Sequence, residues 1–363
     1  SHKLHQNHPH IVKDLPWGEQ LVFLEINRRQ FKCQHCQKPF SEDLNFIQSR
    51  RTYTKRLARQ IIQQVIESDV RSVAQKGVVT TAEIERMLKD ASCKCLNGKP
   101  VGLKKLGIDE IALLKGQGNY CAVFVDLEKS ELITIVQGRS REVLAKVLNS
   151  WGVEVLEGIE EVSIDLWKGY KNLVKELMPN AQVVADRFHV MAQVNQELDE
   201  GRKAEKRQVE EAVKASKSPQ EKEKHEQVLA ELKKSKYVLL KNEENLNLQQ
   251  IEKLKQVKAV SSKLKIMQEL KEEIRMMFEE TSSGLEGLLK LGAWLSKAQK
   301  YFSKSPKTII RWLDEILAYF DNRTTSGVVE GINNKLKLIK RSGYGFRNFN
   351  NFQARCWLNW HFN

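Results

Sequence analysis

Long apolar runs, cysteine and proline are all scarce in this chain of 363 residues. The longest uninterrupted apolar run is six residues, Tyr120 to Val125, against the ~18 that a membrane-spanning helix needs. No basic-then-apolar leader opens the chain, so no signal peptide is visible. The first residue is Ser1 rather than methionine, which predicts a processed, tagged or truncated N-terminus. Six cysteines are too few for a disulfide scaffold, and four of them sit in close pairs, Cys33/Cys36 and Cys93/Cys95. That usage points to a reducing cytoplasm with free or metal-bound thiols. Only Pro219 falls between residue 188 and Pro306, so little there interrupts a helical pattern.

Positive charge is in surplus. Lys plus Arg is 60 and Asp plus Glu is 46, a net of +14. Such a surplus suggests a polyanionic partner, nucleic acid first and an anionic membrane surface second. With 41% hydrophobic and 29% charged residues the composition is that of a globular protein. At ~150 residues per domain the length predicts two to three domains.

Periodicity divides the chain. Residues 1–45 are rich in His and Cys, and Glu19 to Arg28 alternates like a strand before Cys33 and Cys36. Residues 46–98 read as helical, with Leu57, Ile61, Ile62, Val65 and Ile66 at helical spacing and Thr80 or Thr81 capping a later helix. Three strand-like runs follow, Leu103 to Leu114, Asn119 to Leu127 and Glu131 to Gln137, joined by the short turns Lys115 to Gly118 and Glu128 to Ser130. A helix at about 140–151, a strand Val162 to Leu166, a helix from about Lys168 to Met178 and a strand Gln182 to Ala185 complete a β-β-β-α-β-α-β order. That order predicts an α/β fold with a mixed sheet covered by helices. Residues 196–322 read as a long helical block, in which 197–280 carries nearly balanced charge on solvated faces. Residues 323–355 hold seven Lys/Arg and a single acid, Glu330, with interleaved aromatics, as a nucleic-acid contact surface would.

Carboxylates carry the chemistry. Asp109 sits mid-strand, where an acid is unfavourable unless paired or bound to a cation. Asp165 and Asp186 end predicted strands, where ligands collect in crossover folds. Val329, Ile332, Leu336 and Ile339 form one helix face, and Glu330, Asn334, Lys337 and Arg341 form the polar one. Two or three hard carboxylates suit magnesium, and two such ions about 4 Å apart serve in-line phosphodiester cleavage and strand transfer. The 165 residues between Asp165 and Glu330 require an insertion, which the helical block supplies. Basic residues Arg50, Arg51, Lys55, Arg56 and Arg59 fall in a stretch without acids, as phosphate positioning requires. In the C-terminal segment Lys337, Lys340, Arg341, Arg347 and Arg355 are the expected DNA contacts.

Taken together, Gly107 to Glu110, Ser163 to Tyr170, Val184 to Val190, Ser326 to Asn334 and Arg341 to Phe349 resemble the ISL-three insertion-sequence transposases, a DDE-type family. The likeness runs in order over about 15–360. It implies a ribonuclease-H-like mixed-sheet core interrupted by a long helical insertion. Asp109, Asp165 and Glu330 would be the catalytic triad, holding Mg2+ (or Mn2+), and Asp186, His189 and Asn334 would support it. It also implies an N-terminal zinc-binding segment and a helix-turn-helix matching residues 54–91. Cys33 and Cys36 fit half of a Zn2+ site. The family has another cysteine pair upstream, in place of which this chain offers His2, His5, His8 and His10. The expected division is a zinc module in 1–45, a helix-turn-helix in 46–98, the core in 99–195, the insertion in 196–322 and the core's last helix with a basic segment in 323–363.

The expected function is a DNA transposase that binds double-stranded element ends and target DNA and cuts and rejoins DNA with metal. Such a protein would be cytoplasmic, associated with the bacterial nucleoid and at least dimeric, with no membrane role. A transposase-derived DNA-binding protein that no longer cuts, and another ribonuclease-H-like nuclease, are the alternatives. Acids at all three triad positions weigh against the first, and the recognition modules with the long insertion weigh against the second.

Overall fold

The computed structural model describes residues 2–93, 99–112, 120–324, 327–343, 346 and 348–362. At the N-terminus β1 (His2–Trp17) and β2 (Gln20–Cys33) form a long antiparallel hairpin, with β3 (Pro39–Ser41) on the far side of β2. The strand expected from Glu19 is longer at its C-terminal end, and its partner β1 had no sequence signal. A glycine at the turn, Gly18, takes a positive φ of 60°.

Three helices follow. The first, α1 (Lys55–Glu67), starts where the Thr54 hydroxyl accepts from Leu57 N, and buries Leu57, Ile61, Ile62 and Val65. Next is α2 (Val70–Gln75), capped by Asp69; α3 (Thr81–Cys93) follows after a turn at Gly77, φ +78°. The spacing of Leu57 to Ile66 had predicted the first, and the Thr80 or Thr81 cap the third.

The central sheet has the order expected. Its strands β4 (Lys105–Ala112), β5 (Tyr120–Asp126) and β6 (Glu131–Gln137) are antiparallel neighbours. The helices α4 (Arg141–Trp151) and α5 (Val153–Glu157) lead to β7 (Glu161–Ile164), then α6 (Lys168–Leu177) to β8 (Gln182–Ala185). The two crossover strands add in parallel, giving the order β6-β5-β4-β7-β8. The expected turn Lys115 to Gly118 lies outside the described residues.

After β8 come α7 (Arg187–Ala215), α8 (Pro219–Leu232), α9 (Lys236–Leu240), α10 (Leu248–Val260), α11 (Ser262–Glu280), α12 (Gly284–Ala298), α13 (Ser305–Arg311) and α14 (Leu313–Asn322). The chain then returns through α15 (Gly327–Ser342) and ends in α16 (Phe349–His361). No helix among the described residues is long and apolar enough to cross a membrane.

Alternation along β5 sorts the two faces of the sheet. Ala122 and Phe124 join Leu106, Ile108 and Val162 in a core that continues without a break into the helical block, as far as Trp294, Trp312 and Phe320. Cys121, Val123 and Val125 face the other way, against Val329, Ile332, Leu336 and Ile339 of α15 and Phe352 of α16. The helical block is therefore packed against the sheet rather than held out as a separate lobe, with α14 lying along β8. Inside it the Glu197 carboxylate on α7 accepts the backbone N–H groups of Ser303 and Lys304 at 2.9 and 2.8 Å and of Ser305 at 2.6 Å, fixing the start of α13.

Candidate active site and nucleic-acid interface

Asp109 lies in β4 between Ile108 and Glu110, so its side chain projects to the α15 face while its two neighbours face α6. Glu110 N donates to Asp109 Oδ1 at 2.6 Å, and the Asn333 amide of α15 donates to Oδ2. Asp165 follows β7 by one residue and Asp186 follows β8 by one, at the carboxyl ends of parallel strands. Asp186 caps α7, accepting from Phe188 N at 2.8 Å, and its second oxygen bonds His189 Nδ1 at 3.0 Å. The other ring nitrogen, Nε2, is 3.9 Å from Asp109 Oδ1. His189 thus links two of the acids.

Burial pushes the Asp109 carboxyl above its ordinary range, despite the Glu110 N–H and the charge of His189. Burial raises Asp165 too, and Glu110 and Asp109 add to the shift. The buried Oδ1 of Asp165 has no hydrogen-bond partner among the described residues. Burial opposes a charge on His189, but the hydrogen bond to Asp186 and the fields of Asp186, Asp109 and Asp165 push it up to about 9. Among the described residues no three His, Cys, Asp or Glu side chains are gathered closely enough to hold one ion.

Glu330 is exposed in the first turn of α15. It lies one turn before Asn333, the residue that reaches Asp109, and next to Val329, which packs on Gly107 so closely that a Cβ there would sit 2.9 Å from Val329 Cγ2. Asn334, expected beside the acids, is exposed; the amide that meets Asp109 is Asn333. Asn333 falls four positions after Val329, on the inward face, and a buried amide among apolar positions was its signal. Glu110, also not singled out, accepts from Tyr170 Oη at 3.1 Å and pairs with Arg139 at 3.3 Å. Arg139 in turn lies 4.8 Å from the Tyr120 ring and 5.7 Å from that of Trp167.

Two of the expected cationic contacts are paired with acids of the fold. Arg51 pairs with Asp90 of α3 at 2.6 Å, and Arg56 pairs with the buried Asp14 of β1. The Arg56 guanidinium holds the Asp14 carboxyl far below its usual range. Arg50, Lys55 and Arg59 are exposed, although the Lys55 ammonium also donates to Asn45 O at 2.7 Å. On α15, Lys337 and Arg341 are exposed, and Lys340 donates to Ala112 O at 2.8 Å. Arg347 lies outside the described residues. Arg355 corrects the expectation. It is 1% exposed and donates to the carbonyls of Val65 and Ser68, so it joins α16 to the end of α1 instead of facing DNA.

In the N-terminal hairpin the backbone register pairs His2 with Cys33, whereas His8 pairs with Arg28 and His10 with Ile26. At ~3.3 Å per residue the last two lie far up the ribbon from the cysteines. The Cys33 thiol is lowered by the N–H groups of Cys36 and His35.

A mixed sheet with Asp109 within its central strand, Asp165 and Asp186 at the ends of its parallel strands, a return helix bonded to Asp109 and an N-terminal three-helix module define an α/β architecture. The model of the ISL-three transposase family, described as "Transposase", matches residues 106–356, and the zinc-finger of the transposases of IS204, IS1001, IS1096 and IS1165 matches residues 1–36. The chain belongs to this transposase family. It is 28% identical over 354 residues to the transposase for insertion sequence element IS1001 of Bordetella parapertussis, covering 95% of this chain and 83% of that protein. It is 29% identical over 261 residues to the transposase for IS1557 of Mycobacterium tuberculosis (strain CDC 1551 / Oshkosh), covering 68% of this chain and 57% of that one.

Proposed function

We propose that this transposase binds the ends of its insertion sequence and cuts and rejoins DNA through a ribonuclease-H-like core, with Asp109, Asp165 and Glu330 as its metal-holding acids. The observation that carries the reading is the pairing of two neighbouring strands: Asp109 is bonded to α15 through Asn333, and beside it Asp165 presents a buried carboxylate oxygen with no partner among the described residues. A buried anionic oxygen of this kind is a fit for a hard cation. Divalent ions such as Mg2+ or Mn2+ would activate the attacking oxygen and stabilise the leaving one. Asn333 orients Asp109, and Asp186 holds the His189 ring so that a positive charge faces the acids. Glu330, exposed in the first turn of α15, would be the third ligand in this reading.

Cys33 and Cys36 are proposed as half of a Zn2+ site, with their partners at the open end of the hairpin. Residues 46–98 are proposed to read the element ends, helped by Arg50, Lys55 and Arg59, while Lys337 and Arg341 hold DNA near the core. The division into zinc module, helix-turn-helix, split core and insertion belongs to the same proposal, as do a nucleoid-associated location and action by at least a dimer.

The test is a cleavage and strand-transfer assay on end-containing DNA with magnesium. Asp109→Asn, Asp165→Asn and Glu330→Gln should each abolish cleavage and leave DNA binding largely intact, because an amide cannot replace the ligand's charge. Asp186→Asn should be milder. A dead Asp186→Asn beside a cutting Asp165→Asn would mean the triad must be redrawn.

A further inference from the structure

Beside the acids stands a group of side chains that metal-dependent cleavage leaves without a task. Trp167 follows Asp165 by two residues and begins α6. Arg139, two residues after β6, is within reach of two rings, 4.8 Å from that of Tyr120 and 5.7 Å from that of Trp167. All three side chains reach solvent: Arg139 is 50% and Tyr120 37% exposed, and Trp167 is partly so.

The group is fixed from below. A Cβ on Gly169 would collide with the Trp167 ring, so that ring lies against the first turn of α6 and only a glycine fits beneath it. The buried Tyr170 ring meets the edge of Trp167 at 4.7 Å and 85°. Its hydroxyl donates to Glu110, and Glu110 pairs with Arg139. Rings and cation are therefore ordered before anything binds, which lowers the entropy lost on binding. The charge around them suits an anion. Lys168 is exposed, and α6 opens with no side-chain cap and no acid in its first turn.

Rings interleaved with cations are what a single nucleotide binds, its base stacking on a ring and its phosphate meeting the charge. A base inside a duplex has no free face, so only a nucleotide taken out of the stack can use these rings. We propose that Tyr120, Arg139 and Trp167 hold an unpaired nucleotide beside the phosphodiester that is cut, so that the protein opens the bordering base pair before cleavage. The proposal rests on reading Asp109 and Asp165 as the cleavage site. Glu110 and Tyr170 are positioning residues that hold Arg139 and Trp167 in place. A duplex gripped through its phosphates alone would engage Arg139 and Lys168 and give neither ring, nor Gly169, a reason to be there.

The test compares two end-containing duplexes, one fully paired and one mismatched at the base pair bordering the cut. In chelator, where nothing is cut, the wild type should bind the mismatched duplex several-fold more tightly, because the cost of opening that pair is already met. Trp167→Ala should lose this preference, and Trp167→Phe, which keeps a ring, should retain most of it. With magnesium, Trp167→Ala should cut the paired duplex at least about ten-fold more slowly than wild type and recover most of that loss on the mismatched one. A variant that was merely misfolded would fail equally on both. Arg139→Gln should weaken binding of both duplexes and lower the salt slope by about 1. A wild type that binds both duplexes alike, or a Trp167→Ala protein that keeps the preference, overturns the proposal. The preference is read without cutting, so it decides the proposal separately from the variants of Asp109, Asp165 and Glu330 that decide the cleavage reading.

Discussion

At Asp165 two requirements conflict, because the group that suits a cation is a liability without one. Its buried oxygen has no partner among the described residues, and burial raises its pKa above the ordinary 3.8. For an acid whose folded pKa is raised, the native state binds more protons than the unfolded one between the two values. Stability therefore falls as pH rises through that window, and the full penalty is present above it. Asp165→Asn removes the charge at nearly constant volume. In chelator at neutral pH it should raise the thermal midpoint by about 1–3 °C, from ~1 kcal/mol of relieved desolvation. The gain should fade as pH falls through the raised titration range, where the wild-type acid is itself neutral. Added magnesium should raise the wild-type midpoint and leave the variant's unchanged. Scanning calorimetry with and without magnesium reads all three effects. A variant less stable than wild type at neutral pH would show that Asp165 is a well-satisfied cap rather than an orphaned ligand.

At the level of elements, α16 does the joining. Its inward face packs on β6 and α15 through Phe352 and Cys356, and Leu358 enters the core of the three-helix module. Arg355 completes the join by capping the carbonyls of Val65 and Ser68. Arg355→Ala should cost about 2–4 kcal/mol in urea unfolding, for lost hydrogen bonds and a cavity, with no change in the salt slope of DNA binding. Lys337→Gln and Arg341→Gln should do the reverse, each lowering that slope by about 1 without altering stability. This contrast marks what the sequence could and could not disclose. The central strands were legible as short β-branched runs bounded by turns, β5 burying both of its faces, and α1 through the 3.6-residue spacing of its one buried face. Strand β1 was not, since Leu4 to Pro9 are exposed on both faces and only Val12 and Asp14 of its described residues are buried. Asp109, Asp165 and Asp186 could be found from their places in strands. Asn333 was passed over because it sits among the apolar, inward positions of α15, whose phase is set by packing on β4. Arg355 looked like a surface cation in a basic segment, and only tertiary packing turns it inward.

At the level of the whole molecule, the three-helix module is not independent of the central sheet. The core of α1, α2 and α3 includes Leu358 at 1% exposure, with Trp357 and Phe362 against it, although 255 residues separate α3 from α16. The same helix is bonded to the edge of the sheet, where Gln353 donates to Ile135 O at 2.7 Å and His361 Nε2 meets Leu132 O at 2.8 Å. Under the proposed function, binding DNA at one end and cutting it at the other would be joined through α16, which packs on both. Leu358→Ala tests this in the full chain. Truncating a buried leucine costs about 2–5 kcal/mol, and where that cost appears depends on which parts open together. If α16 unites the halves, hydrogen exchange should quicken in α1 and α3 and also in β6, while β7, β8 and α7 to α14 keep their protection. DNA affinity and cleavage should then fall in parallel. Exchange that quickens in α16 alone, with α1 and α3 still protected, would mean that the three helices hold their own core and that the two halves are joined only by the chain.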